Sequence, residues 1–250
     1  MVEIPKDIEE AVEQAKAATK AALAAGEQRL LVEIAIPELK AQPIAEKFIP
    51  VLADSKGDRL KVYFPDAGAA ALARRDWGET PYTIRGMQEV KGKIQPTDEI
   101  FLFIEPSSVE IKELEKMCRE AGDRPVVMLL PKLENIATIG IGYAARQLRE
   151  RFINTLQTSY YIQPLEGACI FRSYPSPWQV WREMADGYEL ISETAEKPVG
   201  EALDQILSGS DRTRGETAEA AAEKPDGSAP QQKKPGVMTN LKRLLRALSQ

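Results

Sequence analysis

Apolar residues return at three- and four-residue intervals near the start of the chain. Ile8, Ala11, Val12, Ala15, Ala22 and Leu23 form one stripe, interrupted only by Thr19, and Glu9, Glu13, Lys16 and Lys20 face away from it. That spacing predicts an amphipathic helix. Its ends are marked too. Asp7 can accept from the free amides of the first turn, Glu10 stands three residues on as in a capping box, and Gly26 lies just past the last turn.

The period then changes. Residues 29–36 (RLLVEIAI) are a continuous apolar run with β-branched members, which predicts a strand buried on both faces. Pro37 and Pro43 bracket the approach to a helix over 44–53; residues 59–64 (RLKVYF) predict a second strand. Residues 66–77 (DAGAAALARRDW) predict an alanine-rich helix capped by Asp66. A short strand at 82–85 leads, through a polar stretch holding Gly86 and Gly92, to 99–105 (EIFLFIE), the clearest strand in the chain. Ser107 or Ser108 can cap the next helix, whose stripe is Ile111, Leu114, Cys118 and Ala121, with Gly122 after it. Residues 125–130 (PVVMLL) predict another buried strand. A helix follows over 143–156, with Ala145, Leu148, Phe152 and Leu156 inward.

Buried strands alternating with helices predict an α/β fold: a mostly parallel sheet covered by helices on both faces. Beyond residue 157 the style differs. Residues 159–164, 169–174 and 188–193 predict strands with no helix of length between the first two, hence an antiparallel C-terminal extension. Residues 178–184 fit strand or helix equally. A helix over 199–207 closes a domain spanning 1–207. Residues 208–236 hold no aromatic and almost no large apolar side chain, so they are expected to be a disordered linker. Pattern resumes over 237–250 as a basic amphipathic helix.

Charge sharpens that last reading. The chain of 250 residues carries a net charge of −5, yet residues 233–250 hold five basic side chains and no acidic one, leaving −10 on the other 232. An acidic body argues against DNA binding and, less strongly, against RNA binding by the tail. A short basic segment behind a linker predicts docking on a membrane surface or a protein partner through Met238, Leu241, Lys242, Arg243, Leu245, Arg246 and Leu248. Folding back on the acidic body is the alternative. The start of the chain has no apolar leader, no run approaches a membrane span, and the two cysteines stand far apart. These features predict a cytoplasmic location, with at most peripheral membrane contact.

The chain has no histidine. This removes Ser–His and Cys–His nucleophile pairs, imidazole acid–base chemistry and His-containing zinc sites. No metal and no cofactor is expected. Gly140-Ile-Gly142-Tyr-Ala-Ala opens a helix in the manner of a dinucleotide loop, but about ten residues and Pro131 separate it from the preceding strand. A candidate anion site therefore comprises Asp66, Gly140, Gly142 and Arg146, with helix capping the stronger role for Asp66. Glu33, Glu38 and Glu105 pose the same question near strand ends, and Glu33, in a buried strand, needs a partner. Tyr174, Trp178 and Trp181 form a candidate aromatic interface, weighed against core packing of the extension. Cys118 and Cys169 are expected to be inert.

Residues 31–38 (LVEIAIPE), 62–77 (VYFPDAGAAALARRDW), 124–131 (RPVVMLLP), 146–152 (RQLRERF) and 172–178 (RSYPSPW) together resemble the DUF1995 domain family of cyanobacteria and plastids over about residues 5–200. The family pattern has Asn where this chain has Leu130. The resemblance implies a setting rather than a reaction: its plant members include a factor for photosystem II accumulation, and a plastid adenylate kinase carries a similar domain. A non-enzymatic assembly factor, partnered by a photosystem II subunit at the thylakoid surface, is the expectation. A nucleotide- or phosphate-binding enzyme is the alternative.

Overall fold

A computed structural model describes residues 3–54, 56–133 and 143–209. Gly140, Gly142 and the basic segment of residues 237–250 lie outside them. The described residues build one nine-stranded sheet in the order β3-β2-β4-β5-β1-β6-β7-β8-β9. The strands are β1 (Arg29–Ile34), β2 (Leu60–Phe64), β3 (Thr83–Gly86), β4 (Ile100–Ile104), β5 (Val126–Leu129), β6 (Gln157–Leu165), β7 (Ala168–Ser173), β8 (Trp178–Met184) and β9 (Gly187–Thr194). Strands β1 to β6 pair in parallel, and β6 to β9 pair antiparallel. The expected class, a mostly parallel α/β sheet with an antiparallel extension, is the observed one.

Helix α1 (Ile8–Ala24) begins as its pattern requires: the Asp7 carboxylate accepts from the Glu10 amide at 2.8 Å. The Glu10 carboxylate reaches back to the Lys6 amide, 2.9 Å away, one residue earlier than in a strict capping box. Thr19 is fully buried within the apolar stripe. Its hydroxyl lies 3.4 Å from that of Ser159, which donates to the Leu31 carbonyl at 3.1 Å. The polar break in the stripe thus has partners, as burial of a hydroxyl demands.

Strand β1 is not buried on both faces. Leu30, Val32 and Ile34 enter the core, whereas Leu31 and Glu33 are only partly covered. The single helix expected over 44–53 is two: α2 (Ala41–Phe48) and α3 (Pro50–Ala53). Pro43 sits in the first turn of α2, where an amide has no partner to lose, but Pro50 cannot continue the ladder and restarts it. Helix α4 (Ala67–Trp77) follows β2, with Asp66 accepting from the Ala69 amide at 2.9 Å. Helix α5 (Ile111–Ala121) starts at Glu110 rather than at Ser107 or Ser108. Ser107 instead closes the turn ahead of it, donating to the Glu110 carboxylate at 2.7 Å and accepting from the Val109 amide at 3.1 Å.

Helix α6 (Tyr143–Arg151) stops short of the expected Leu156 and gives way to a 3-10 turn. Arg151 grips Glu115 of α5 through two bonds of 2.6 and 2.9 Å. Residues 178–184, undecided from pattern, are strand β8. A last helix over residues 201–209 is tied to the sheet by Arg182, whose guanidinium donates to the Leu207 carbonyl at 3.0 Å.

The core divides by face. Helices α1 to α4 pack with Leu30, Val32, Val62, Leu102 and Val127 on one side of the sheet. On the other side α5 and Phe152 pack with Tyr63, Phe101, Phe103, Val126 and Met128, while Leu203 packs on Tyr161, Ile170 and Trp178.

Candidate functional site

Helix α2, which follows β1, and helix α6, the next described helix after the adjacent strand β5, lie on opposite faces of the sheet. Diverging exits open a crevice beyond the carboxyl ends of parallel strands, the place where α/β proteins hold ligands. Here it has a volume of about 480 Å³ and is lined by the loop after β1, the loop after β5, Glu105 past β4 and Gln163 on β6. A second groove of about 530 Å³, between the starts and ends of α2 and α4, is lined by Lys40, Gln42, Pro43, Glu46, Asp76 and Trp77 and shares Glu105 with the first. Together they form one trough.

The backbone at the trough is unusual. Among the described residues, three that are not glycine adopt left-handed backbone: Glu38 (φ 62°), Glu105 (φ 49°) and Leu130 (φ 53°). All three lie in the loops that bound the crevice. Such residues are costly by about 1 kcal/mol or more and persist where surrounding bonds over-determine them. Those bonds are present. Glu105 donates its amide to the Leu129 carbonyl at 2.8 Å, and Leu130 to that of Val32 at 2.8 Å. The Lys132 amide then reaches the Pro106 carbonyl at 2.8 Å, joining the two exit loops to each other. Asn is the non-glycine residue that best tolerates this region, so Asn is what the Leu130 backbone would select.

The lining mixes charge with apolar surface. Ile34, Ala35, Ile36, Leu39, Leu130 and Pro131 supply the apolar part of the crevice. Glu105 is 2.7 Å from the exposed Lys132 ammonium. Glu33 is half-buried on the same rim, and Gln163 accepts from the buried Tyr161 hydroxyl at 2.6 Å. In the second groove Asp76 is held below the usual carboxylate range by bonds from Arg75 and Gln42.

Of the residues singled out from sequence, the structure brings Glu33 and Glu105 together and places Glu38 in the adjoining loop. It does not bring Asp66 and Arg146 to the same face of the sheet. Asp66 caps α4 and Arg146 is exposed on α6, and these helices cover opposite faces. Gly140 and Gly142 lie outside the described residues. The aromatic interface is also corrected. Trp178 and Trp181 are each only 6% exposed and belong to core clusters on opposite faces. Trp181 donates to the Gln179 side chain at 3.1 Å, while Trp178 packs edge-on to Tyr161 with Arg172 over its ring. Successive inward and outward positions of a strand cannot form one surface patch. Tyr174 is half-buried against the larger core.

Cys118 and Cys169 are buried, and desolvation pushes both thiols up to about 12, which suppresses the nucleophilic thiolate. Met238, Leu241, Lys242, Arg243, Leu245, Arg246 and Leu248 lie outside the described residues. Among the described residues no group of three or more Asp, Glu or Cys is placed to hold a metal ion, and no helix is long and apolar enough to cross a membrane. Sequence reasoning missed Lys132, Gln163 and Trp77 as members of one trough. The available signal was the charged or proline residue immediately after each buried run. A family model described as a domain of unknown function (DUF1995) matches residues 5–205, so the chain belongs to that family.

Proposed function

We propose that the chain is a non-enzymatic interaction factor whose trough receives a polypeptide segment bearing basic and apolar side chains. The observation that supports this is the lining: carboxylates of Glu33, Glu105, Glu46 and Asp76 interleaved with Ile36, Leu39, Leu130 and Trp77. Such a surface matches an amphipathic basic segment through both charge and apolar contact. The same carboxylates repel phosphate, so the nucleotide-handling alternative draws support only from the crevice's position at the carboxyl ends of the strands. The setting follows from the resemblance to plastid and cyanobacterial members: assembly of photosynthetic complexes, with a photosystem II subunit as the partner and the basic segment resting on the anionic thylakoid surface.

Two measurements test it. Flotation with anionic liposomes should recover the full chain and leave behind a chain ending at residue 209; equal recovery removes the membrane contact. A thermal-shift panel of nucleotides with magnesium should give no stabilisation, because a ligand at 100 times its Kd adds about 2.7 kcal/mol and cannot be overlooked. A nucleotide that stabilises the chain by that amount overturns the non-enzymatic reading.

A further inference from the structure

We propose that the chain's own basic segment, residues 237–250, docks in the trough that meets at Glu105, so that segment and trough mask one another until a competitor displaces them. The inference rests on the reading above, that the trough accepts a basic and apolar polypeptide. It adds a specific occupant and a means of control.

Three observations select that occupant. The first is charge. Glu33, Glu46, Asp76 and Glu105 line the trough against Lys40 and Lys132, with Glu38 exposed in the loop between Pro37 and Leu39 and Arg75 bound to Asp76. The segment brings Lys242, Arg243 and Arg246 with no acid of its own. The second is apolar match. Met238, Leu241, Leu244, Leu245 and Leu248 recur at helical spacing, and the trough offers Ile36, Leu39, Leu130, Pro131 and Trp77 to cover them.

The third is reach. The described chain ends on a helix over 201–209 that Arg182 ties to the sheet, and 27 residues separate it from position 237. A flexible chain of that length spans about 30 Å on average. A domain of this size has a radius of gyration of about 17 Å, so the trough is accessible from either face. Tethering supplies an effective concentration on the order of millimolar, enough to fill a site of modest intrinsic affinity.

Zero-length carbodiimide cross-linking of the full chain, read by peptide mass spectrometry, tests the docking directly. Intramolecular bonds should join Lys242, or Lys233 and Lys234 before it, to Glu38, Glu46 or Glu105. Their yield should fall several-fold in about 0.5 M salt, where screening acts within about 4 Å. The double variant Glu38→Gln/Glu46→Gln should lower it several-fold, and Glu113→Gln/Glu120→Gln should leave it unchanged. Amide exchange over residues 36–46 in the full chain should rise several-fold in Leu241→Glu/Leu245→Glu. Links spread evenly over the surface carboxylates, links only between molecules, or unchanged exchange overturn the docking. Adding anionic vesicles separates the two readings: flotation of a chain that shows no trough links before vesicles are added keeps the membrane contact and removes this proposal, and trough links without flotation do the reverse.

Discussion

The two ends of the parallel strands treat charge in opposite ways. At the amino ends several charged groups are bound to the chain itself. Lys61 and Asp98 are both buried and lie 2.9 Å apart; Lys61 also donates to the Lys93 carbonyl at 2.8 Å. Arg124 donates to the carbonyls of Gln95, Asp98, Glu120 and Ala121 and stacks on Phe101, while Arg29 reaches those of Cys118, Gly122 and Arg124. Two arginines thereby satisfy the free carbonyls that end α5. At the carboxyl ends, by contrast, the strands exit through left-handed residues into an open trough, and the ion pairs there, Glu105 with Lys132 and Asp76 with Arg75, lie at the surface. One end holds the sheet together; the other opens a trough.

The contrast is broken most severely at the amino ends. Asp98→Asn or Lys61→Met should cost about 3–5 kcal/mol in chemical denaturation, because each leaves a buried charge without its counter-ion. A loss below about 1 kcal/mol would show that water already reaches the pair. Next comes Gly86, where a Cβ would stand 2.7 Å from the Ala67 amide nitrogen at the start of α4. Gly86→Ala should therefore cost about 1–3 kcal/mol by overpacking. Around the trough the effects shrink. Leu130→Asn exchanges apolar burial for relief of the left-handed backbone and should stay within about 1 kcal/mol of the parent, whereas Leu130→Val, with no such relief, should fall below it. Glu105→Gln should change stability by less than about 1 kcal/mol, because its ion pair with Lys132 is largely exposed.

The smallest effect concerns pH. Hydrogen bonds from Arg151 hold Glu115 below its ordinary value. A depressed carboxylate contributes stability that is present above the unfolded-state value and is lost as pH falls through the lower folded one. Amide exchange in α6 should accordingly quicken on the acid side of that window, and Arg151→Gln should flatten the response. An unchanged profile in the variant would remove Glu115 from the account.

Much of the fold was legible because local rules agree with the tertiary structure. Asp7, Gly26, Asp66 and Gly122 bound helices where pattern placed them, and continuous apolar runs became β2, β4 and β5. The errors have physical causes. Residues 178–184 carry Trp, Val and Trp at spacings compatible with both periods, and only pairing with β7 and β9 decides between them. Leu31 and Glu33 read as buried because a strand's covering is set by distant helices, not by its own residues. The trough was legible only in pieces. Glu33, Glu38 and Glu105 stood out individually, but their meeting with Lys132 and Gln163 depends on strand order, which no local spacing encodes.

The protein holds three tryptophans, and their placement has a practical consequence. Trp178 and Trp181 are enclosed in the antiparallel extension, whereas Trp77 is half-buried against Phe64 and borders the second groove. Two indoles thus give a steady fluorescent background and the third an emission that shifts when solvent is displaced from its edge. Occupancy of the site can be followed optically in the unmodified protein, with Trp77→Phe as the blank.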